Sequence, residues 1–260
     1  MKNKQGSSSG SHALREEESL RRELELHVGR VDQASFRKTD PSGIVEEFML
    51  AAKSPSQLDI EIAALFTAMI SWGNRKAIRS TARKLVFQEM ELRPAAYIKE
   101  GQFAGNRSVF GNCIYRTLDK NHYLQVCANL QNALKGAATL EELIAPFDAE
   151  GAVGRIAEIL SPAKLGRPGT SACKRICMFM RWMVRPFPPD FGIWKTRKPS
   201  GLFAVLDVHV NRQTAGMRCC KTPSWKGCKE LTEIFRRWDP DDPLKYDVAL
   251  MMRADANHAS

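Results

Sequence analysis

Residues 58–72, LDIEIAALFTAMISW, are apolar on nearly every side of a helical projection. A helix without a polar face belongs in the middle of a bundle, so the rest of the chain has to pack around it. Gly73-Asn74 ends it. With 260 residues the chain can build such a core, as one large domain or two small lobes. Its 43% hydrophobic and 26% charged content excludes a disordered chain. No apolar run reaches the length of a membrane span, so no membrane association is expected.

The flanking segments read as helix too. Met1 to His12 is polar and Gly/Ser-rich, which predicts a disordered tail over 1–17. Leu14 to Val28 is charged and helical in pattern. Asp40-Pro41 offers an N-cap acceptor followed by proline at the first helical position, opening Ser42 to Ala52. Arg75 to Met90 predicts a basic amphipathic helix, Pro94 a short one, and Gly101 to Gly111 a loop. Tyr123–Leu134, Leu140–Phe147 and Val153–Leu160 predict three more helices. Asp239-Pro240 repeats the cap signal before a last helix near Pro243 to Arg253. The single strand-like run, Leu202 to Val210, has nothing to pair with and reads as a buried turn entering a helix. The expected fold is all-α.

The formal charge of +10 is concentrated. Between Thr170 and Lys229 there are twelve basic residues and only two acidic ones, Asp190 and Asp207. Trp182, Trp194 and Trp225 lie in the same window. Cations interleaved with rings suit a nucleic-acid groove, where they meet phosphates and bases. A solvated basic face is the plainer alternative. The seven cysteines include no CxxC pair, which predicts free thiols in a reducing cytoplasm. The start also lacks the apolar core of a signal peptide, so a cytoplasmic location is expected.

Ala172 to Arg185 predicts a helix capped by a hydroxyl of Thr170 or Ser171. Lys174, Met178, Arg181 and Arg185 fall on one stripe, opposite Ile176, Phe179, Met180 and Met183. The expectation is one buried face and an exposed row of cations. Lys174 stands in the first turn beside Arg175, a setting that disfavours a protonated amine and suits a nucleophile. Its simpler role is as the first phosphate-binding cation of the stripe. Asp207 precedes the helix-compatible Val208 to Met217 and can cap it. A carboxylate held at a cleft by that helix start is compatible with the cap.

SACKRICMFMRWMVR (171–185), DFGIW (190–194), LDVHVNR (206–212), WDPDDPLKYDVAL (238–250) and the upstream DIEIAALFTAMISWGNRKAI (59–78) resemble an uncharacterised bacterial protein family, in order, from about Asp40 onward. That family is distantly similar to the helix-hairpin-helix DNA glycosylases. Their active site pairs a lysine just after a hairpin with an aspartate near the next helix start. The resemblance puts Lys174 and Asp207 in those places, and the archaeal oxidised-guanine glycosylases have a similarly long stretch between the two. It implies a two-lobed all-α fold with an active-site cleft. One lobe would hold 58–165, the other 18–57 plus 166–260 with the hairpin and basic face. The Gly-x-Gly turn usual in that hairpin is missing, since Gly166 and Gly169 are three apart. The C-terminal four-cysteine loop of some members is missing as well. Cys219, Cys220 and Cys228 match neither that loop nor a zinc site, so no metal or other cofactor is expected.

The implied activity is a base-excision glycosylase and abasic-site lyase acting on a flipped nucleotide, such as an oxidised purine, in double-stranded DNA. Lys174 would attack the sugar C1′, and Asp207 would stabilise the developing charge. Arg175, Arg181, Arg185, Arg212, Lys195, Arg197 and Lys198 would hold nucleic acid. Trp72, Trp182 and His209 would line the base pocket, although a helix core is the simpler home of each tryptophan. A non-catalytic nucleic-acid binder with the same fold is one alternative. A helical interaction protein meeting an acidic partner is the other. No heptad seam is present, and the expected state is a monomer.

Overall fold

The computed structural model of the protein describes residues 7–28, 33–105 and 108–259. The chain is mostly helical. In order it forms α1 (Ser7–His27), α2 (Gln33–Thr39), α3 (Ser42–Ala51), α4 (Gln57–Met69), α5 (Arg75–Arg83, continued by a π turn over Lys84–Glu89) and α6 (Pro94–Lys99). A two-stranded hairpin follows, β1 (Cys113–Tyr115) antiparallel to β2 (Leu118–Asp119). Then come α7 (Lys120–Ala133), α8 (Leu140–Ile144), α9 (Ala149–Ile159), α10 (Lys174–Val184), α11 (Val208–Thr214), α12 (Trp225–Trp238) and α13 (Lys245–Ala259). No helix among the described residues is long and apolar enough to cross a membrane.

Side-chain acceptors start most of these helices, because the first turn leaves backbone N–H groups without carbonyl partners. Ser56 and Asp59 form a reciprocal capping box at α4. Asn74, Asp119, Thr139, Asp148 and Ser224 cap α5, α7, α8, α9 and α12. Asp40 accepts from the Ser42 amide at 2.9 Å, so it does close the start of α3. Asp239 does not start the last helix. Its Oδ1 accepts the Asp241 and Asp242 amides in a turn, and α13 begins at Lys245. The segment predicted as a tail is helical from Ser7 onward, and residues 1–6 lie outside the described residues. Leu202 to Leu206 joins no sheet, turns at Val205 where the Leu206 amide donates to the Ala204 carbonyl at 3.1 Å, and runs into α11 as expected.

Helix α4 is the centre. Every residue from Ile60 to Met69 is buried, and α4 packs against α3, α6 and α10. The one acid in that stretch, Glu61, is fully buried. Burial pushes its carboxyl up, while its hydrogen bonds pull the other way. Its oxygens accept the Leu140 amide at 2.6 Å and the Trp194 indole N–H at 2.6 Å. Glu141 in turn accepts the Lys195 and Thr196 amides at 2.5 and 2.7 Å. Two carboxylates thus tie α4, α8 and the segment after α10 together. One continuous hydrophobic core, from Leu20 to Leu250, runs through both residue groups expected to form separate lobes. α1 packs on α13.

The exposed row of cations on α10 is not there. Residues 176–184 are all buried, Arg181 with 1% exposure, and Arg185 at the end of the helix is buried as well. A guanidinium cannot be left unpaired at that depth. Arg181 Nε pairs with Asp190 Oδ1 at 3.1 Å. Arg185 pairs with Asp190 Oδ2 at 3.2 Å and with Asp242 at 2.8 Å, and donates to the Phe187 and Pro188 carbonyls. Asp190, fully enclosed, is the shared partner of two cations. Asp190→Ala therefore strands the buried Arg181 guanidinium and takes one of two carboxylate partners from Arg185, and we expect it to destabilise the protein by about 3–5 kcal/mol. Lys195→Ala, at an exposed side chain, should stay within about 0.5 kcal/mol. Urea unfolding of both variants measures the contrast.

Candidate functional site

The turn before α10 sets the position of Lys174. After α9 and a 3-10 turn (Ser161–Ala163), the backbone passes through positive φ at Lys164, Gly166, Gly169 and Cys173. Gly166 is required at φ +82, since a Cβ there would lie 2.3 Å from Ser171 Oγ. The expected hydroxyl cap is displaced by two residues. Ser171 Oγ accepts the Cys173 amide at 3.1 Å, and Cys173 itself, at φ +50, occupies the N-cap position without a side-chain bond to the helix. Lys174 is then the first residue of the helix.

Asp207 arrives from the other side. The extended segment before it is held by Thr232 Oγ1, which accepts the Ala204 amide at 3.0 Å, and by Asp247 Oδ2, which accepts the Val205 amide at 2.9 Å. Asp207 Oδ1 accepts the His209 and Val210 amides at 2.8 and 2.9 Å, capping α11. Its Oδ2 lies 3.0 Å from Lys174 Nζ. Burial alone would raise the Asp207 carboxyl; the Lys174 ammonium and the two amides outweigh it and hold the group below its ordinary 3.8. Both side chains are partly open, with 34% and 21% exposure.

The pair stands in the wall of a cavity of about 990 Å3. Trp72 and His209 line the same cavity, His209 with an exposed side chain. Trp72 is half-buried, with the Arg116 guanidinium 4.2 Å over its ring and Tyr115 donating to its carbonyl at 2.8 Å. Arg175 also lines the cavity, but its guanidinium donates to the Met69 carbonyl at the end of α4 and to the Lys164 carbonyl. Burial lowers Arg175 to about 10. Three charged wall residues were not singled out from sequence: Arg75, Lys164 and Asp247. Arg75 and Lys164 lie outside the basic window, so charge clustering could not find them. Asp247 sits inside a predicted helix with no local sign of its surroundings. It is 1% exposed, and burial pushes it up to about 7. The wall therefore mixes cations with Asp40, Asp207 and Asp247 rather than presenting a purely basic groove.

The remaining predicted residues do not converge here. Trp182 is 1% exposed in the core and lines no base pocket. Arg181 and Arg185 are buried in internal ion pairs and cannot reach phosphate. Arg197 donates to the Ile144 and Phe147 carbonyls, at the end of α8, and Lys195 to the Gly192 carbonyl. Lys198 is exposed beside a second cavity of about 750 Å3, lined also by Arg185 and Phe187. Arg212 is exposed on α11 and is not part of the wall. Cys228 is buried and donates to the Ala204 carbonyl, while Cys219 is exposed; all seven cysteines are free.

The cap and the charge of Asp207 can be separated. Asn keeps a capping acceptor but not the carboxylate. A depressed folded pKa means that the charge stabilises fully above the unfolded value and less as pH falls through the folded one. We expect Asp207→Asn to be less stable than wild type by about 1 kcal/mol or less at pH 7. That difference should shrink below pH ~4, the unfolded carboxylate range. Urea unfolding at pH 3 to 7 reads it directly.

The sequence model of one family, described as "Protein of unknown function (DUF2400)", matches residues 40–255. No curated protein matches the chain, and no solved structure does. The matched stretch contains α4, α10, Lys174 and Asp207, and the chain belongs to this family of proteins of unknown function.

Proposed function

We propose that the protein is a DNA glycosylase and abasic-site lyase that accepts a flipped nucleotide in the cavity, with Lys174 as nucleophile and Asp207 as its acid–base partner. The observation that carries this reading is the 3.0 Å contact between Lys174 Nζ and Asp207 Oδ2 in the wall of a cavity of about 990 Å3. Two helix starts, far apart in the chain, deliver an amine and a carboxylate to one open space. Likeness to the helix-hairpin-helix glycosylases gives the pair a reaction, and the two-lobed cleft of those enzymes is the architecture this reading assumes.

The chemistry follows from the two groups. Lys174 must first pass a proton to Asp207, because only the free amine is nucleophilic. Nζ then attacks C1′ of the extruded nucleotide. The C1′–N bond breaks, its electron pair leaves with the base, and the base takes up the proton. Nζ gives up a proton, O4′ takes it up as the C1′–O4′ bond opens, and an iminium forms between Nζ and C1′. Loss of the C2′ proton expels the 3′ phosphate and cuts the strand, and water then releases the lysine. Once its proton has gone to the departing base, the Asp207 carboxylate stabilises positive charge on the sugar and takes up the C2′ proton. Trp72 supplies an aromatic wall beside the base. Among the residues expected to hold phosphate, Arg212 keeps an exposed side chain on α11, the helix that Asp207 caps, and it carries that role with Lys164 at the cavity. The substrate partner is double-stranded DNA, bound by a monomer.

The test is strand cleavage on duplexes that carry either a pre-formed abasic site or 8-oxoguanine. Wild type should nick the abasic strand. Lys174→Gln and Asp207→Asn should each lose at least about a hundredfold in rate. Binding that weakens steeply with salt, with no nicking by wild type, would instead identify a non-catalytic nucleic-acid binder. Absence of both would rule out a nucleic-acid function.

A further inference from the structure

The β1–β2 hairpin takes no part in the chemistry proposed above, yet its tip is fixed against the cavity wall. Tyr115 is buried, its hydroxyl donates to the Trp72 carbonyl at 2.8 Å, and the two rings meet edge to face at 6.3 Å. At the far end of the hairpin Asp119 caps α7. The turn between the strands is Arg116-Thr117, with Arg116 in the left-handed region at φ +52. A two-residue hairpin turn with positive φ at its first position ordinarily takes glycine there, so this arginine is held against a backbone cost.

The side chain of Arg116 is exposed, and its Cζ lies 4.2 Å over the Trp72 ring. Trp72 and Gly73 both line the cavity, and a Cβ at Gly73 would collide with Arg116 Nη1. The guanidinium therefore rests on the wall beyond the end of α4, where the bare backbone of Gly73 leaves it room. An arginine at a helix end often serves the last carbonyls. Here that role is taken, because Arg175 donates to the Met69 carbonyl. The Arg116 guanidinium makes no hydrogen bond and no ion pair among the described residues. A cation held over an indole keeps its N–H donors for another acceptor, and their fixed fork matches the oxygens of a phosphate. Lys164, also exposed, lines the same cavity from the turn before α10. We propose that the hairpin tip is a nucleic-acid contact beside the cavity, with Arg116 holding a backbone phosphate next to the extruded nucleotide. This rests on the repair reading above and adds the element that grips the strand.

The readout is the salt dependence of binding to a duplex that carries a tetrahydrofuran residue, an abasic analogue that lacks the C1′ oxygen and cannot form the iminium. Wild type should bind with an affinity that falls steeply as salt rises. Arg116→Gly, which suits the left-handed turn, should bind about tenfold more weakly at low salt, with the slope of log K against log salt shallower by about one. Arg116→Lys keeps the charge without the fork, so it should hold the wild-type slope and lose part of the affinity. A weaker affinity of Arg116→Gly with unchanged slope marks a disturbed hairpin rather than a lost phosphate contact, and overturns the proposal. Should the glycine chain fail to fold, Arg116→Asn, also at ease in the left-handed region, is measured in its place with the same expectation. Unchanged affinity and slope, in a protein whose wild type nicks abasic duplex, overturn this inference alone. Wild type that binds but does not nick overturns the repair reading, and the slope still decides the phosphate contact. Wild type that does neither overturns both.

Discussion

Helix α10 is buried from Ile176 to Val184, and it carries cations at both ends and inside. That constraint organises the rest. A buried guanidinium has to meet carboxylates, so the chain after α10 turns back to bring Asp190 against Arg181 and Arg185, and Asp242 comes from the segment before α13. The returning strand of chain is anchored along the helix, with the Phe191 amide on the Trp182 carbonyl and the Trp194 amide on the Met183 carbonyl. Trp194 then reaches Glu61 in α4. With its far end fixed in this way, α10 presents its first residue, Lys174, at the cavity and nowhere else.

The same economy governs most of the basic window. Cations that cluster in the sequence look like a surface for polyanions, yet many are donors to the fold itself. Arg175 and Arg197 satisfy carbonyls at the ends of α4 and α8, Arg218 is 2% exposed and donates to the Cys220 carbonyl, and Lys221 donates to the Ala215 carbonyl. Helix C-termini carry unpaired carbonyls and partial negative charge, so an arginine there is worth keeping for structure alone. Net charge in a window counts such residues as though they were free.

The parts of the fold that depend on local signals were legible. The apolar run at 58–72, the caps at Asp207 and Asp40, and the turn at Gly73-Asn74 all stand where periodicity and turn chemistry put them. Asp207 caps α11 as its local pattern predicts, and its other oxygen lies 3.0 Å from Lys174. What depends on tertiary partners was not legible. The stripe of α10 projects Arg181 outward on a wheel, but the wheel does not show that a second layer covers that side. The β1–β2 hairpin is only five residues of strand and has no alternating pattern to announce it. Asp247 becomes notable only when its burial is seen together with its bond to the Val205 amide.

The central claim is that Lys174 forms a covalent bond to a sugar in this cavity. Borohydride reduces an iminium to a stable amine, so a trapped protein–DNA complex records the attacking nitrogen. The direct measurement is mass-spectrometric mapping of the complex formed with an abasic duplex. The account predicts the sugar remnant on the peptide that contains Lys174. A remnant on a different lysine, or no trapped complex under conditions where the duplex is bound, would contradict it.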